Sequence, residues 1–284
     1  MKGMIAAIKI LYLLLLIGKA MQMSCATGLI GFCPLASGSK GNALFLGTEK
    51  TRILIDAGLS AKAIADRLSQ IDIDPKTLQA ILVTHEHTDH IAGLAVLAHR
   101  LNIPVLANAE TAKGIIAALG SRPRFKIFAT GETFCFGDLE VHPFSIPHDT
   151  FDPVAFTITC RDIKMGICAD LGHVTSMVQK QLEGCDFLYL EANHQISMVH
   201  SCARPQVYKN RVLGKQGHLS NDECGKLLER LHHPRLQHVY LAHLSSECNT
   251  PEVALDVVRR HLNGKEVDIS ISYQDKISKS VIFK

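Results

Sequence analysis

Short apolar runs in this chain repeatedly stop on a residue that can ligate a metal or move a proton. ILID ends on Asp56, ILVTH on His85, GICAD on Asp170, LYLE on Glu191 and YLAH on His243. Runs of Ile, Leu and Val bounded by polar positions read as strands buried on both faces. A polar side chain at the carboxyl end of each would gather chemistry along one sheet edge, where rigid strands hold ligands and the following loops shape a pocket. The chain is therefore expected to be a layered α/β protein with its site on that edge.

The rest of the pattern agrees. A first strand pattern, GLIGF, begins at Gly28, and further strands are expected over 43–46, 52–56, 79–84, 104–107, 139–144, 154–159, 163–169, 187–190 and 239–242. Helical segments fall between them. Ser60 opens an amphipathic stretch to Leu68, Ser220 and Glu223 form a capping box ahead of a helix to about Leu231, and Pro251 suits a first helical turn. No Pro/Gly/Ser-rich linker interrupts the 284 residues, so residues 28–284 are expected to form one domain.

Residues 1–22 stand apart as an apolar extension with Lys2 at its start, which fits either a signal segment or a start placed ahead of the native one. The run is too short for a stable membrane span. Hydrophobic residues at 47% and charged residues at 20% exclude intrinsic disorder, and a net charge of +3 leaves any polyanionic partner to be argued locally. The nine cysteines are never spaced as CxxC, so reduced thiols in the cytoplasm are expected, with signal-directed export the alternative.

Histidine is the unusual component: 15 residues, three of them in HEHTDH, which holds His85, His87, Asp89 and His90. An extended segment puts His85 and His87 on one side before the chain turns into a helix after Asp89, a spacing that suits two adjacent metals. Imidazole with carboxylate suits zinc, manganese or iron, with zinc or manganese leading, whereas the absence of Cys and the few oxygen donors argue against iron–sulfur or calcium sites. His99, His142, His173, His232, His233, His238 and His261 lack such a context and read as surface or packing residues; His194 and His200 are left open.

With HEHTDH and later single ligands in order, the sequence from about Gly28 onward resembles the metallo-β-lactamase-fold hydrolases, which implies an αββα sandwich. Residue by residue, the resemblance implies one metal on His85, His87 and His148, a second on Asp89, His90 and His243, and Asp170 bridging both, with Asp56 orienting the metal loop. Two close divalent ions activate a bridging water and polarise the electrophile, so a hydrolase is expected. Asp170 stands where several antibiotic-hydrolysing members carry Cys, which turns the reading toward phosphodiesterases and thioesterases.

Glu191 and His218 resemble a pair in the nuclease branch whose His faces the scissile phosphate as a proton donor; Asp89 is the further catalytic candidate. SGSKGN, HEHTDH, EANH, GHLSN and LAHLS followed by NTPE together resemble the YycJ-type subgroup, which implies a 5′-to-3′ exonuclease acting on DNA. The alternative is a small-molecule hydrolase, a thioesterase or cyclic phosphodiesterase, with an ester as its partner.

The interval between Asp170 and His218 is too short for a large inserted nucleic-acid-binding domain, so the core itself would grip DNA. Arg204, Lys209, Arg211 and Lys215, with Tyr208 between them, are the candidate phosphate and stacking contacts. SGSKGN reads first as a β-turn and second as backbone N–H groups offered to phosphate.

Overall fold

The computed structural model describes residues 30–283; the apolar extension over 1–22 lies outside them. The chain first lays down β1 (Gly31–Ala36), β2 (Ala43–Gly47), β3 (Arg52–Ile55), β4 (Ala80–Leu82), β5 (Val105–Ala107) and β6 (Phe125–Ile127). It then forms β7 (Phe134–Phe136), β8 (Leu139–Ser145), β9 (Val154–Cys160), β10 (Ile163–Cys168), β11 (Phe187–Glu191), β12 (His238–Ala242) and β13 (Asp268–Ile271), and β14 (Val281–Ile282) returns to pair with β1. Among the described residues these make two seven-stranded sheets, in the orders β14-β1-β2-β3-β4-β5-β6 and β13-β12-β11-β10-β9-β8-β7.

Strand alternation explains why the runs look apolar throughout. Ile53 and Ile55 of β3 point into the layer between the sheets while Leu54 points out. Tyr189 of β11 and Tyr240 of β12 likewise point in while Leu188, Leu190, Val239 and Leu241 point out. Both directions end in cores, and each fully buried Leu or Ile contributes roughly 1.5–3 kcal/mol.

Helices supply the outer layers. α1 (Ala61–Ser69), α2 (Thr88–Ile91), α3 (Leu94–Leu101) and α4 (Ala109–Leu119) pack residues such as Ile64, Ile91, Leu94 and Ile115 against the first sheet. On the second sheet, α5 (Ser176–Leu182), α8 (Asn221–Leu231) and α9 (Pro251–Leu262) bury Val178, Leu227 and Val258, while α6 (Ile196–Ser201) and α7 (Gln206–Val212) close a small cluster around Cys248. The expected αββα sandwich is what the chain forms. Among the described residues no helix is long and apolar enough to cross a membrane.

Helix starts follow their caps. The hydroxyls of Ser60, Ser220 and Thr250 each accept from the backbone N–H three residues on, at 3.2 Å. The capping box at Ser220 is only half made, because the Glu223 carboxylate accepts from Lys226 Nζ at 2.7 Å instead. The first helix of the histidine motif also starts earlier than the sequence implies: His87 is its N-cap, so Asp89 and His90 already stand on α2. β1 begins at Gly31 and runs on to Ala36, later than GLIGF indicates.

The topology concentrates the strand ends. β3 through β6 are mutually parallel, as are β10 through β13. Parallel neighbours finish at the same edge, so β3 and β4 deliver Asp56 and the His85 loop together, and β10, β11 and β12 deliver Asp170, Glu191 and His243.

Candidate metal centre

Three of these deliveries depend on an uncommon backbone turn. Asp56, Asp170 and His243 all have left-handed conformations, with φ of 61°, 55° and 53°. A non-glycine residue rarely adopts this region, and such strain concentrates where a side chain must be re-aimed. Asp and His tolerate it better than branched residues do.

The strand ends meet in a cluster of imidazoles and carboxylates. His85, His87 and His148 form one group and Asp89, His90 and His243 another; His85, His90 and Asp170 overlap both, the donor atoms within each group lying within 4.8 Å of one another. His148 Nε2 is 3.3 Å and His85 Nε2 is 3.2 Å from His87 Nδ1. Asp170 Oδ2 lies 3.0 Å from His90 Nε2, and its Oδ1 lies 3.2 Å from His243 Nδ1. Outer contacts aim the rings: His90 Nδ1 donates to Asp56 Oδ2 at 2.8 Å, and His148 Nδ1 donates to the Gly217 carbonyl at 3.2 Å. Such contacts set the ring orientation and leave the other nitrogen for a ligand.

The cluster is built for a cation. His243 Nε2 is buried and lacks a hydrogen-bond partner, and Asp170 Oδ2, although 3.0 Å from His90 Nε2, has no well-directed one, a cost that native interiors seldom bear without a ligand. Burial together with the charge of His90 holds His85 well below the ordinary imidazole range, and burial lowers His148, which keeps both lone pairs available. For His243, burial lowers the pKa, but the Asp170, Asp89 and Glu191 carboxylates outweigh it and push it up to about 10. His90 is raised well above its usual value because Asp56 and Asp170 overcome its burial. Burial alone would raise Asp170, yet His243 and His90 hold it well below the carboxylate range. These buried carboxylates require neighbouring positive charge, and a divalent ion on the same donors supplies it.

Glu191 takes a different part. Its Oε2 accepts from the backbone N–H of Leu171 at 2.6 Å and of Leu219 at 3.1 Å, and its Oε1 accepts from His218 Nδ1 at 2.7 Å and His243 Nδ1 at 3.1 Å. Both oxygens are occupied and the residue is fully buried, so it stands behind His218 rather than in the open site. His218 itself lines a cleft of about 180 Å³ together with His243, Ser39, Arg204, Tyr208 and Arg211.

The basic segment is divided by the fold. Arg204 and Arg211 reach the cleft but are paired, Arg204 with Glu247 and Arg211 with Asp149 at 2.7 Å. Lys209 lies outside the cleft lining, where its Nζ donates to the His200 carbonyl at 2.7 Å, and Lys215 flanks a neighbouring hollow beside Asp149 and Arg211. Of the two histidines left open, His194 is buried and pushed down to about 4, chiefly by that burial, while His200 is exposed at the end of α6. Neither belongs to the donor groups.

SGSKGN is a brace for the centre. All its backbone N–H groups but that of Ser39, which lines the cleft, are used internally or nearby: Gly38 donates to Asn42 Oδ1, Lys40 to Gln274 Oε1, Gly41 to the Gly38 carbonyl, and Ser37 and Asn42 to the Tyr273 and Asp89 carbonyls. The turn reading therefore holds, while these donors are not free for phosphate. Ser37 Oγ accepts from the His243 N–H at 2.8 Å, and Asn42 Nδ2 contacts His90 Nε2 at 3.0 Å. Thr84 also supports the loop, donating from its backbone N–H and hydroxyl to the two Asp56 oxygens, both at 2.9 Å. The sequence gives Ser37 and Asn42 only a place in the SGSKGN turn and Thr84 only a place in a strand, because the partners they brace are distant in sequence or on another strand.

Gly58 shows how tightly this bracing is packed. A Cβ there would lie 1.6 Å from the Asp89 carbonyl oxygen and 2.6 Å from Asn42 N. Gly58→Ala is expected to displace the Asp89 loop, costing at least about 1–3 kcal/mol, and to weaken metal uptake. Thermal melting with calorimetric metal titration checks both; an unchanged melting temperature and affinity would contradict the assignment of Gly58 to the brace.

The sequence and the fold resemble those of known proteins. Residues 51–243 match the model of the Beta-lactamase superfamily domain. The chain is 34% identical over 245 residues to exodeoxyribonuclease YycJ of Bacillus anthracis, covering 86% of this chain and 93% of that protein. It is also 34% identical to exodeoxyribonuclease WalJ of Streptococcus pneumoniae serotype 2 (strain D39 / NCTC 7466), covering 84% and 91%. The metallo-beta-lactamase fold protein YhfI from Bacillus subtilis superposes with a TM-score of 0.67 at 14% identity, covering 87% of this chain and 97% of that one, a likeness of fold. The chain therefore belongs to the metallo-β-lactamase superfamily and, within it, to the family of the exodeoxyribonucleases YycJ and WalJ.

Proposed function

We propose that this chain is a metal-dependent phosphodiesterase that degrades DNA from the 5′ end. The observation that carries the reading is His218, held by the buried Glu191 at 2.7 Å and facing a cleft shared with Arg204, Tyr208 and Arg211, directly beside the donor cluster. The 34% identity to YycJ over 93% of that exodeoxyribonuclease supports DNA as the substrate. A small ester would have no use for the two arginines.

In this reading His85, His87 and His148 would hold one divalent ion and Asp89, His90 and His243 a second, with Asp170 available to either; zinc and manganese suit the donors. Ions held there supply Lewis acidity, neutralising charge that develops on the phosphoryl group and lowering the pKa of water. The chain's own residues do the rest. Asp89, the most open of the cluster carboxylates, is placed to take a proton from attacking water. Glu191 fixes His218 through Nδ1, leaving Nε2 toward the cleft, where the ring gives its proton to the leaving oxygen. Arg204 and Arg211 exchange their carboxylate partners for phosphates as the strand enters.

The test is degradation of 5′-phosphorylated, end-labelled DNA by metal-stripped protein given manganese or zinc, beside His218→Ala. We expect metal-dependent loss from the 5′ end, slowed by roughly 10²–10⁴-fold in the variant, the usual weight of a general acid. No cleavage with either metal overturns the nuclease reading.

A further inference from the structure

The loop joining β8 to β9 carries His148 and then turns an aromatic ring outward: Phe151 is 75% exposed. An exposed Phe on a free loop would fold back onto the nearest apolar surface, since burying it is favourable. This loop is held against doing so. His148 is fixed to the Gly217 carbonyl, a contact that does not depend on Arg211. The Phe151 N–H donates to Glu86 Oε1 at 3.1 Å. The Asp152 carbonyl accepts from Asn108 Nδ2 and its carboxylate from Thr130 Oγ1, each at 2.8 Å.

The same pins locate the Phe151 backbone beside the centre. Glu86 lies between His85 and His87, so the backbone of Phe151 is bonded to the metal loop itself. Asp149 Oδ1 is 3.7 Å from His87 Nε2 and 3.5 Å from His148 Nε2. Two residues of chain limit the Phe151 Cα to at most about 7 Å from that of Asp149. A large apolar group is thus presented to solvent at the rim of a polar, phosphate-seeking site, by a loop held at His148, at the Phe151 N–H and at Asp152. Its place on a loop that a rigid scaffold holds beside the site, where binding residues are disproportionately found, is what distinguishes it from a singly exposed apolar side chain.

We infer that Phe151 is a stacking platform for a nucleobase of the strand whose phosphate occupies the centre, an inference that rests on the nuclease reading above. Every base offers a π-face, so a stacked ring grips the strand without selecting sequence, as an enzyme that removes successive nucleotides requires. Arg204 and Arg211 line the cleft for the phosphates, and the ring supplies the complementary base contact.

A substitution at this exposed position leaves the core intact, and the test crosses two changes. Phe151→Ala, Phe151→Tyr and the wild type are assayed on 5′-phosphorylated single-stranded oligonucleotides carrying an abasic residue in turn at each of the first four nucleotides, beside the fully based strand. We expect Phe151→Ala to raise KM for the based strand by about 10-fold, within the range of base–aromatic stacking, and Phe151→Tyr to restore it. At one position the wild type should lose affinity when the base is removed, and the Ala variant should not register that removal. Equal penalties from base removal in wild type and Ala variant at every position would overturn the inference while leaving the nuclease reading standing. Absence of cleavage by the wild type itself would remove both.

Discussion

Asp170→Asn is expected to lose DNA cleavage by at least about 10²–10³-fold, the cost of removing one preorganised electrostatic group from an active site, while the protein stays folded. The Asp170 carboxylate lies between the two histidine groups, 3.0 Å from His90 and 3.2 Å from His243, with one oxygen lacking a well-directed hydrogen-bond partner. Asn keeps the shape and accepts the left-handed backbone at φ 55°, so the change isolates the charge. Without that charge the histidines lose the anion that balances a bound cation. Elemental analysis should find less metal per chain, and circular dichroism should find the fold retained. A variant with wild-type turnover would contradict the placement of Asp170 at the heart of the centre.

Asp170 also shows what the sequence makes legible. Five apolar runs ending on Asp56, His85, Asp170, Glu191 and His243 announce a site at strand ends because parallel neighbours finish at one edge. HEHTDH adds the donor types. What it leaves unread is the turn that makes the placement work: nothing in AD or AH marks a left-handed residue, since Asp and His are also common at ordinary strand ends. Edge strands were equally hard to read. β6 (FKI) and β7 (FCF) are short and part-exposed, so neither a continuous apolar run nor a clean alternation marks them.

The basic segment is legible only in part, for another reason. Charge along a sequence does not say which way a side chain points, and α7 sends Arg211 toward Asp149 while Lys209 turns to the His200 carbonyl. Ser37 and Asn42 show the converse. Their turn is readable from Gly and Ser, but their partners, His243 and His90, come from distant strand ends that only the folded sandwich brings together. Local signals thus yield elements and donor types, whereas support for the donors is a property of the assembled layers.

Glu191 is where support and chemistry separate most sharply, and two substitutions there should give different losses. In Glu191→Ala, the N–H groups of Leu171 and Leu219 lose their buried acceptor, and His218 and His243 lose the oxygen that holds them. Each orphaned N–H costs about 1–3 kcal/mol, so a drop in melting temperature of several degrees should accompany loss of cleavage. In Glu191→Gln, the amide oxygen still accepts from the two backbone groups, but its NH₂ now meets His218 Nδ1 and His243 Nδ1 as a donor. The melting temperature should stay near that of the wild type, while kcat on 5′-labelled DNA falls by about 10–100-fold, the usual cost of losing a group that orients catalytic residues. Because the Gln variant leaves Arg204, Tyr208 and Arg211 untouched, KM for DNA should change far less than kcat. Wild-type kcat in Glu191→Gln would mean that Glu191 only holds the fold together; a fall in kcat at constant stability and constant metal content assigns it to orienting the proton donor His218 rather than to holding His243.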